Sequence, residues 1–206
     1  MASTGRGRRE SFRERVERHA AIDDPEVVLR SAARFLEVRS RSVVEVRRHL
    51  TTAGYRPDLV EGAVTRLTEL GMLDDGAFAR AWVQSRDRAR PRGQQALRRE
   101  LSLKGLDRDL VAEVLAERAG EREAQDVGTD AEGFAEPGAD MRAAASLLAR
   151  RASSLGRVVD TRQRRQRAYA LLARNGFDSE VCREASARFV MASDPDSDGA
   201  ADSDDT

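Results

Sequence analysis

Leu50-Thr51-Thr52-Ala53-Gly54-Tyr55, Leu101-Ser102-Leu103-Lys104-Gly105-Leu106 and Leu172-Ala173-Arg174-Asn175-Gly176-Phe177 are one cadence used three times. Each runs leucine, three residues, glycine, then a large apolar side chain. An apolar pair follows at the same distance in every copy: Leu59-Val60, Leu110-Val111 and Val181-Cys182. A helix commonly stops at a glycine in the left-handed conformation, with the next residue packing back on the side chain three positions before the cap. Every pair that this rule brings together is apolar: Tyr55 with Leu50, Leu106 with Leu101, Phe177 with Leu172. Leu67 and Met72 around Gly71 make a fourth. A unit repeated at this interval is the signature of stacked helical repeats, and such arrays build binding surfaces more often than active sites.

Signals for helix starts fall where the cadence needs them. Ser42-Val-Val-Glu45 reads as a capping box, Asp107 and Asp178 stand as N-caps after the second and third copies, and Pro57 takes the first helical position after the first. Asp74 or Asp75 caps the helix that follows Gly71. The resulting first unit has helices over about Pro25–Val38, Val43–Ala53 and Pro57–Leu70, with Val28, Ala32, Phe35 and Leu36 on the inner face of the first. The next helix carries Phe78, Ala81, Trp82 and Ser85 as its expected inner face. It must break near Arg90-Pro91-Arg92-Gly93, because proline disfavours helical geometry in the residue before it.

The chain of 206 residues is therefore read as all-α, three tandem three-helix repeats forming an elongated curved solenoid. Its divisions are an Arg/Glu-rich extension over 1–24, repeats over 25–73, 74–118 and 140–191, an acidic linker over 119–139 and an acidic tail over 192–206. Within 1–24 the sequence suggests a frayed helix without an apolar face. The linker accounts for Gly105 following Gly54 by 51 residues while Gly176 follows Gly105 by 71.

Composition agrees with small shared interfaces rather than one large core, since 35% of residues are charged and only 4% aromatic. A single cysteine excludes an internal disulfide framework. No apolar run approaches the roughly 20 residues of a membrane span, and no apolar stretch follows Arg8-Arg9 to make a secretory signal. A cytoplasmic protein without membrane contact is expected. Formal net charge is zero, but the charges are segregated. Phe78 to Lys104 holds seven arginines and one lysine against Asp87 and Glu100, and Leu147 to Arg174 holds eight arginines against Asp160 alone. The compensating acids lie in Glu121 to Asp140 and in the tail from Asp194. Acidic linker and tail are expected to compete with nucleic-acid phosphate for the basic repeats.

The central block Leu73-Asp74-Asp75, Phe78-Ala79, Trp82-Val83, Arg86, Pro91-Arg92-Gly93, Leu97, Glu100-Leu101 and Lys104-Gly105-Leu106 resembles the RecX family, bacterial regulators of the RecA recombinase. The likeness extends over about Val27 to Val190, the linker apart. It implies three three-helix units without catalytic residues. It also implies a regulator of recombination and the SOS response, which binds along the RecA–DNA filament in its helical groove and dampens ATP hydrolysis, strand exchange and co-protease activity. The Arg-rich extension, the acidic linker and the poly-Asp tail depart from the compact family pattern. Whether the third repeat docks on the second is open.

Arg80, Arg86, Arg88, Arg90, Arg92, Arg98, Arg99 and Lys104 are the candidate surface for the filament. Arginine contacts to phosphate give salt-dependent affinity without sequence readout, so single- or double-stranded DNA alone should be held weakly and non-specifically. Arg162, Arg164, Arg165 and Arg167 form a secondary cluster whose consecutive members spread around a helix. Each arginine taken singly also suits a solvated helix face. Trp82 is assigned to the core rather than to base stacking, Tyr55 and Phe177 to cap packing, and Cys182 to a buried small hydrophobe. His19 and His49 have no ligand partners at metal spacing, and no cofactor, metal or catalytic constellation is found. A direct DNA reader of helix-turn-helix type is the alternative, and a protein scaffold that avoids nucleic acid the third class. The absence of apolar heptads favours a monomer.

Overall fold

The computed structural model describes residues 11–120 and 138–193. The first ten residues, most of the expected linker and nearly all of the expected tail lie outside the described residues. Regular structure among the described residues is helical throughout. The helices divide between two compact units, one holding the residues up to 78 together with Lys104–Leu106, the other holding 79–103 and the remainder.

In the first unit α1 (Phe12–Ala20), α2 (Pro25–Glu37), α3 (Val43–Ala53) and α4 (Pro57–Glu69) surround Val28, Ala32, Val46, Leu50, Val60, Val64 and Leu67, with Tyr55 and Leu73 at the margins. The start of α5 (Asp75–Ala89) also belongs here. Ser42 accepts from the Glu45 N–H while Glu45 accepts from the Ser42 N–H, so the expected capping box closes. Gly54 ends α3 with φ +100°, its N–H donating to the Thr51 carbonyl at 3.0 Å and the Tyr55 N–H to Leu50 at 3.3 Å. That is the Schellman arrangement read from the cadence. Gly71 repeats it, Met72 donating to Leu67 at 2.9 Å. Asp74, rather than Asp75, caps α5 by accepting from Ala77, while Asp75 accepts from the Val43 N–H at 2.9 Å.

The second unit contains the rest of α5, α6 (Gln94–Leu103), α7 (Arg108–Gly120), α8 (Ala139–Ala149), the short α9 (Ala152–Leu155), α10 (Thr161–Arg174) and α11 (Ser179–Ser193). The residues read as the third repeat pack here with those of the second, α8 lying against α7 as well as against α10 and α11. Asp107 and Asp178 accept from the first N–H groups of α7 and α11. Gly176 closes α10 as expected, Phe177 donating to Leu172. Cys182 is fully buried at the place of Val60 and Val111, and burial, with Asp178 near, pushes its thiol pKa up.

Two expectations need correction. The inner face of α5 is Phe78, Ala79 and Val83, whereas Ala81 and Ser85 are exposed. Trp82 is only half-buried, because that flank of α5 is covered by polar Glu100 instead of an apolar side chain. The N-terminal helix has no buried residue, as its sequence suggests, yet it is docked and capped. Its Ser11–Glu14 capping box is complete, and His19 lies flat on Tyr55 with ring centroids 4.4 Å apart. His19 Nδ1 meets the Ala53 carbonyl at 2.7 Å, satisfying one of the orphan acceptors at the end of α3.

One joint recurs inside the units. Ser42 Oγ donates to the Lys104 carbonyl at 2.6 Å within the first unit, and the Gly93 N–H donates to the Asn175 carbonyl at 3.1 Å within the second. Ser42 and Gly93 hold the same register before a repeat's second helix, and Lys104 and Asn175 the same register before a capping glycine. Gly105 abuts Val44, and Gly176 abuts Ala96, in each case too closely for a β-carbon. Gly54 makes a third such contact, against Val16 of α1, where a β-carbon would stand 2.8 Å from the Val16 carbonyl oxygen. The N-terminal helix therefore receives a capping turn as the later helices do.

Candidate basic interface

The eight basic residues of the central block separate into two sets. Arg86 lies over the Trp82 ring, 4.4 Å from its centroid, and donates from Nε to Glu100 at 2.6 Å. The Trp82 indole donates to the same carboxylate at 2.8 Å. Arg92 has Nε 3.7 Å from Glu100 and a second nitrogen on the Asn175 side chain. Arg80 reaches Glu117 at 3.4 Å. Lys104 sits in the first unit, 2.9 Å from Glu45. Burial works to raise the Glu45 pKa, but Lys104, the Ser42 N–H and Arg39 outweigh it and hold the carboxyl below its ordinary range. These four side chains are held by the fold.

The other four are available. Arg88, Arg90, Arg98 and Arg99 are exposed, and none is in an ion pair among the described residues. Arg99 touches only the Gln95 carbonyl one turn back, at 3.3 Å. On α6 the buried stripe is Leu97 and Leu101, so the opposite face shows Gln94, Gln95, Arg98, Arg99 and Ser102, ending in Leu103 at 82% exposure.

Arg98 is free because its repeat lacks the acid that the first repeat supplies. Arg47 on α3 holds the register of Arg98 and grips Glu61 of α4 with two nitrogens, at 2.6 and 2.9 Å. The position matching Glu61 in the second repeat is Ala112. The arginine that is neutralised in the first repeat has an alanine at the corresponding partner register in the second.

The secondary cluster does not act as a set. Arg164 is 8% exposed, its Nε donating to the Val158 carbonyl at 3.0 Å and a terminal nitrogen to Val159 at 3.3 Å. It closes the chain before α10, which removes it from the predicted surface. Arg162, Arg165 and Arg167 are exposed around α10.

Sequence reasoning missed Arg118. Its side chain, 9% exposed, binds Asp87 with two nitrogens at 2.9 Å and Asp140 with a third at 2.5 Å. Asp140 also accepts from the Gln94 N–H at the start of α6, at 3.0 Å. Arg150 donates to the Ala89 and Arg88 carbonyls, satisfying the end of α5. The partners lie far apart in sequence, and no local signal announces them.

Family models for the three RecX three-helix domains match residues 29–67, 74–115 and 139–185 in order. The regulatory protein RecX of Mycobacterium ulcerans is 32% identical over 151 residues, covering 73% of this chain and 78% of that protein. The chain belongs to the RecX family. RecX of Mycolicibacterium smegmatis is 40% identical over 84 residues, 41% of this chain and 45% of its own. The crystal structure of RecX from Lactobacillus salivarius shares the fold at a TM-score of 0.65 and 16% identity, over 81% of this chain and 97% of that one. RecX proteins are named as regulators, and that role is the one the family assigns. Among the described residues no helix is long and apolar enough to cross a membrane, and no cluster of metal-ligating side chains occurs.

Proposed function

We propose that this chain is a regulator that occupies a RecA-type recombinase filament and restrains its ATP hydrolysis, strand exchange and co-protease activity. The observation that carries the reading is the replacement of Glu61 by Ala112 in the matching register, which leaves Arg98, with Arg99 beside it, uncompensated on α6. Arg88 and Arg90, exposed at the end of α5, add two permanent charges. Such a surface suits a polyanionic assembly in which phosphate and carboxylate both occur. The mechanism is occupancy rather than chemistry. A bound helical protein that blocks the movement of recombinase subunits slows their cycle without any catalytic group of its own. The chain works as a monomer in the cytoplasm, without a cofactor, and binds free single- or double-stranded DNA weakly.

The test is DNA-dependent ATP hydrolysis by the cognate recombinase, titrated with this protein at fixed single-stranded DNA. Inhibition well below the recombinase concentration, persisting when DNA is raised, is expected. Inhibition relieved in proportion to added DNA would reject the reading.

A second reading, direct base readout by α6, is favoured by its exposed Gln94, Gln95, Arg98 and Arg99, since glutamine and arginine are the common readers of base edges. Asp140 at the start of α6 weighs against it, because a carboxylate there repels the phosphates that flank an inserted helix.

A further inference from the structure

The first unit also carries a groove bounded by α1, α2 and α3. Two adjoining clefts of about 620 Å³ each share His19, Ser31, Phe35 and His49, so they form one channel across α1, α2 and α3. Both histidines of the chain lie in it. Its floor is closed by a stack in which Phe35 and His49 lie 3.9 Å apart between centroids and within 5° of parallel, with the Arg41 guanidinium 4.2 Å from the Phe35 centroid. At one end Phe12 stands on the rim at 60% exposure, with the Arg15 guanidinium 5.6 Å from its ring centroid.

The charge of the groove has one sign. Arg15, Arg30, Arg34 and Arg48 line it, are exposed, and have no acidic partner among the described residues. Glu45 is the one carboxylate among the lining residues, and Lys104, Arg39 and the Ser42 N–H already hold it. The His19–Ala53 contact and the close seat of Gly54 on Val16 fix α1, so the groove is formed before anything binds.

We propose that this groove binds a single strand of nucleic acid, a base stacking on exposed Phe12 and its phosphates meeting Arg15, Arg34 and Arg48. Aromatic rings set among unpaired arginines are the combination that single strands require, since every base offers a π-face and every nucleotide a charge. A duplex keeps its bases stacked inside and has no use for the rings. An acidic peptide would use the arginines and leave Phe12 idle. One wall of the groove, with Phe12, Arg15 and His19, comes from α1, which precedes the part of the chain matched by the first-domain family model. The proposal is independent of the filament reading, and its test contains no recombinase.

The test uses the full chain and a fluorescein-labelled 20-nucleotide oligo(dT), read by anisotropy across a salt series. Phe12→Ala should weaken binding about tenfold, within the range for loss of one stacked base. Arg34→Ala combined with Arg48→Ala should weaken it further and reduce the salt slope by about 1.4, since each single-strand phosphate contact contributes about 0.7. Phe12→Trp keeps a ring, should retain affinity, and should show indole emission beyond that of Trp82 in the parent chain that the oligonucleotide quenches, which guards against Phe12→Ala merely loosening α1. Quenching of Phe12→Trp no greater than that of the parent, whose emission comes from Trp82, would overturn the proposal. So would equal affinity for a 20-base-pair duplex, competition by polyglutamate as effective as by unlabelled oligo(dT), or a loss that follows Arg98→Ala and Arg99→Ala instead.

Discussion

Gly93 lies against Gly176 so closely that a β-carbon on Gly93 would stand 2.3 Å from the Gly176 carbonyl oxygen and the Phe177 nitrogen. Both obstacles are backbone, so neither can swing aside. The glycine of the Pro-Arg-Gly turn is required by this approach rather than by its own backbone angles, since its φ is not positive. Gly93→Ala should destabilise the chain by about 1–3 kcal/mol, the usual range for overpacking. Urea denaturation followed by Trp82 fluorescence measures it. Gly62→Ala, in the interior of α4 with nothing near its missing β-carbon, should instead stabilise by about 0.5–1 kcal/mol.

Arg98→Ala together with Arg99→Ala should leave the urea midpoint unchanged while raising several-fold the protein needed for half-inhibition of the recombinase ATPase. Both side chains are exposed and neither holds an acid. Placing Glu at position 112, the register of Glu61, should recreate the grip seen at Arg47 and weaken inhibition in the same direction.

Arg86→Ala should behave in the opposite way. It removes the cation over Trp82 and leaves Glu100 with one fewer donor, so stability falls and the Trp82 emission shifts. An Arg86→Ala protein as stable as the parent would show that the Trp82–Arg86–Glu100 cluster contributes nothing.

Arg118→Met should destabilise by on the order of 3 kcal/mol, because it strands Asp87 and Asp140 around a space built for a cation. Replacing all three by apolar residues should recover most of the loss, which thermal denaturation of the single and triple variants would reveal.

Acid should weaken the first unit through His49. Burial and the nearby Arg41 charge lower the His49 pKa below its ordinary value, so the unfolded chain takes up this proton at higher pH than the folded one. Above the unfolded histidine pKa of about 6.5 both states are neutral and nothing is lost. As pH falls below that value, stability declines until the folded His49 also protonates. The depressed carboxyls of Glu45 and Glu61 add their own loss only at lower pH, where they protonate. A His49→Gln variant should show a flatter stability profile between pH 7.5 and 5.5.

The helices were legible because their ends are encoded locally. Leucine, glycine and the apolar residue after it define each cap within six positions, and Ser42, Asp107 and Asp178 mark the starts that follow. The basic site was legible only as a list of arginines. Which of them are free depends on partners such as Glu100, Glu117 and Asn175, brought near by packing over 8 to 83 positions of chain. Arg164 shows the limit most plainly, since nothing in Gln163-Arg164-Arg165 tells a buried arginine from an exposed one. The docking of α1 was hidden for a related reason: it rests on one histidine and one close backbone contact, not on an apolar stripe.

The joint between the residue before a helix and the carbonyl before a capping glycine is made of two short pieces of chain, and it registers nothing of what lies between them. From Ser42 to Lys104 it spans 62 positions, and from Gly93 to Asn175 it spans 82, yet the same carbonyl register is met, by a hydroxyl in the first case and a backbone N–H in the second. The extra length falls between α7 and α8, where the acidic segment is inserted. The two joints therefore set no requirement on the length of chain between α7 and α8.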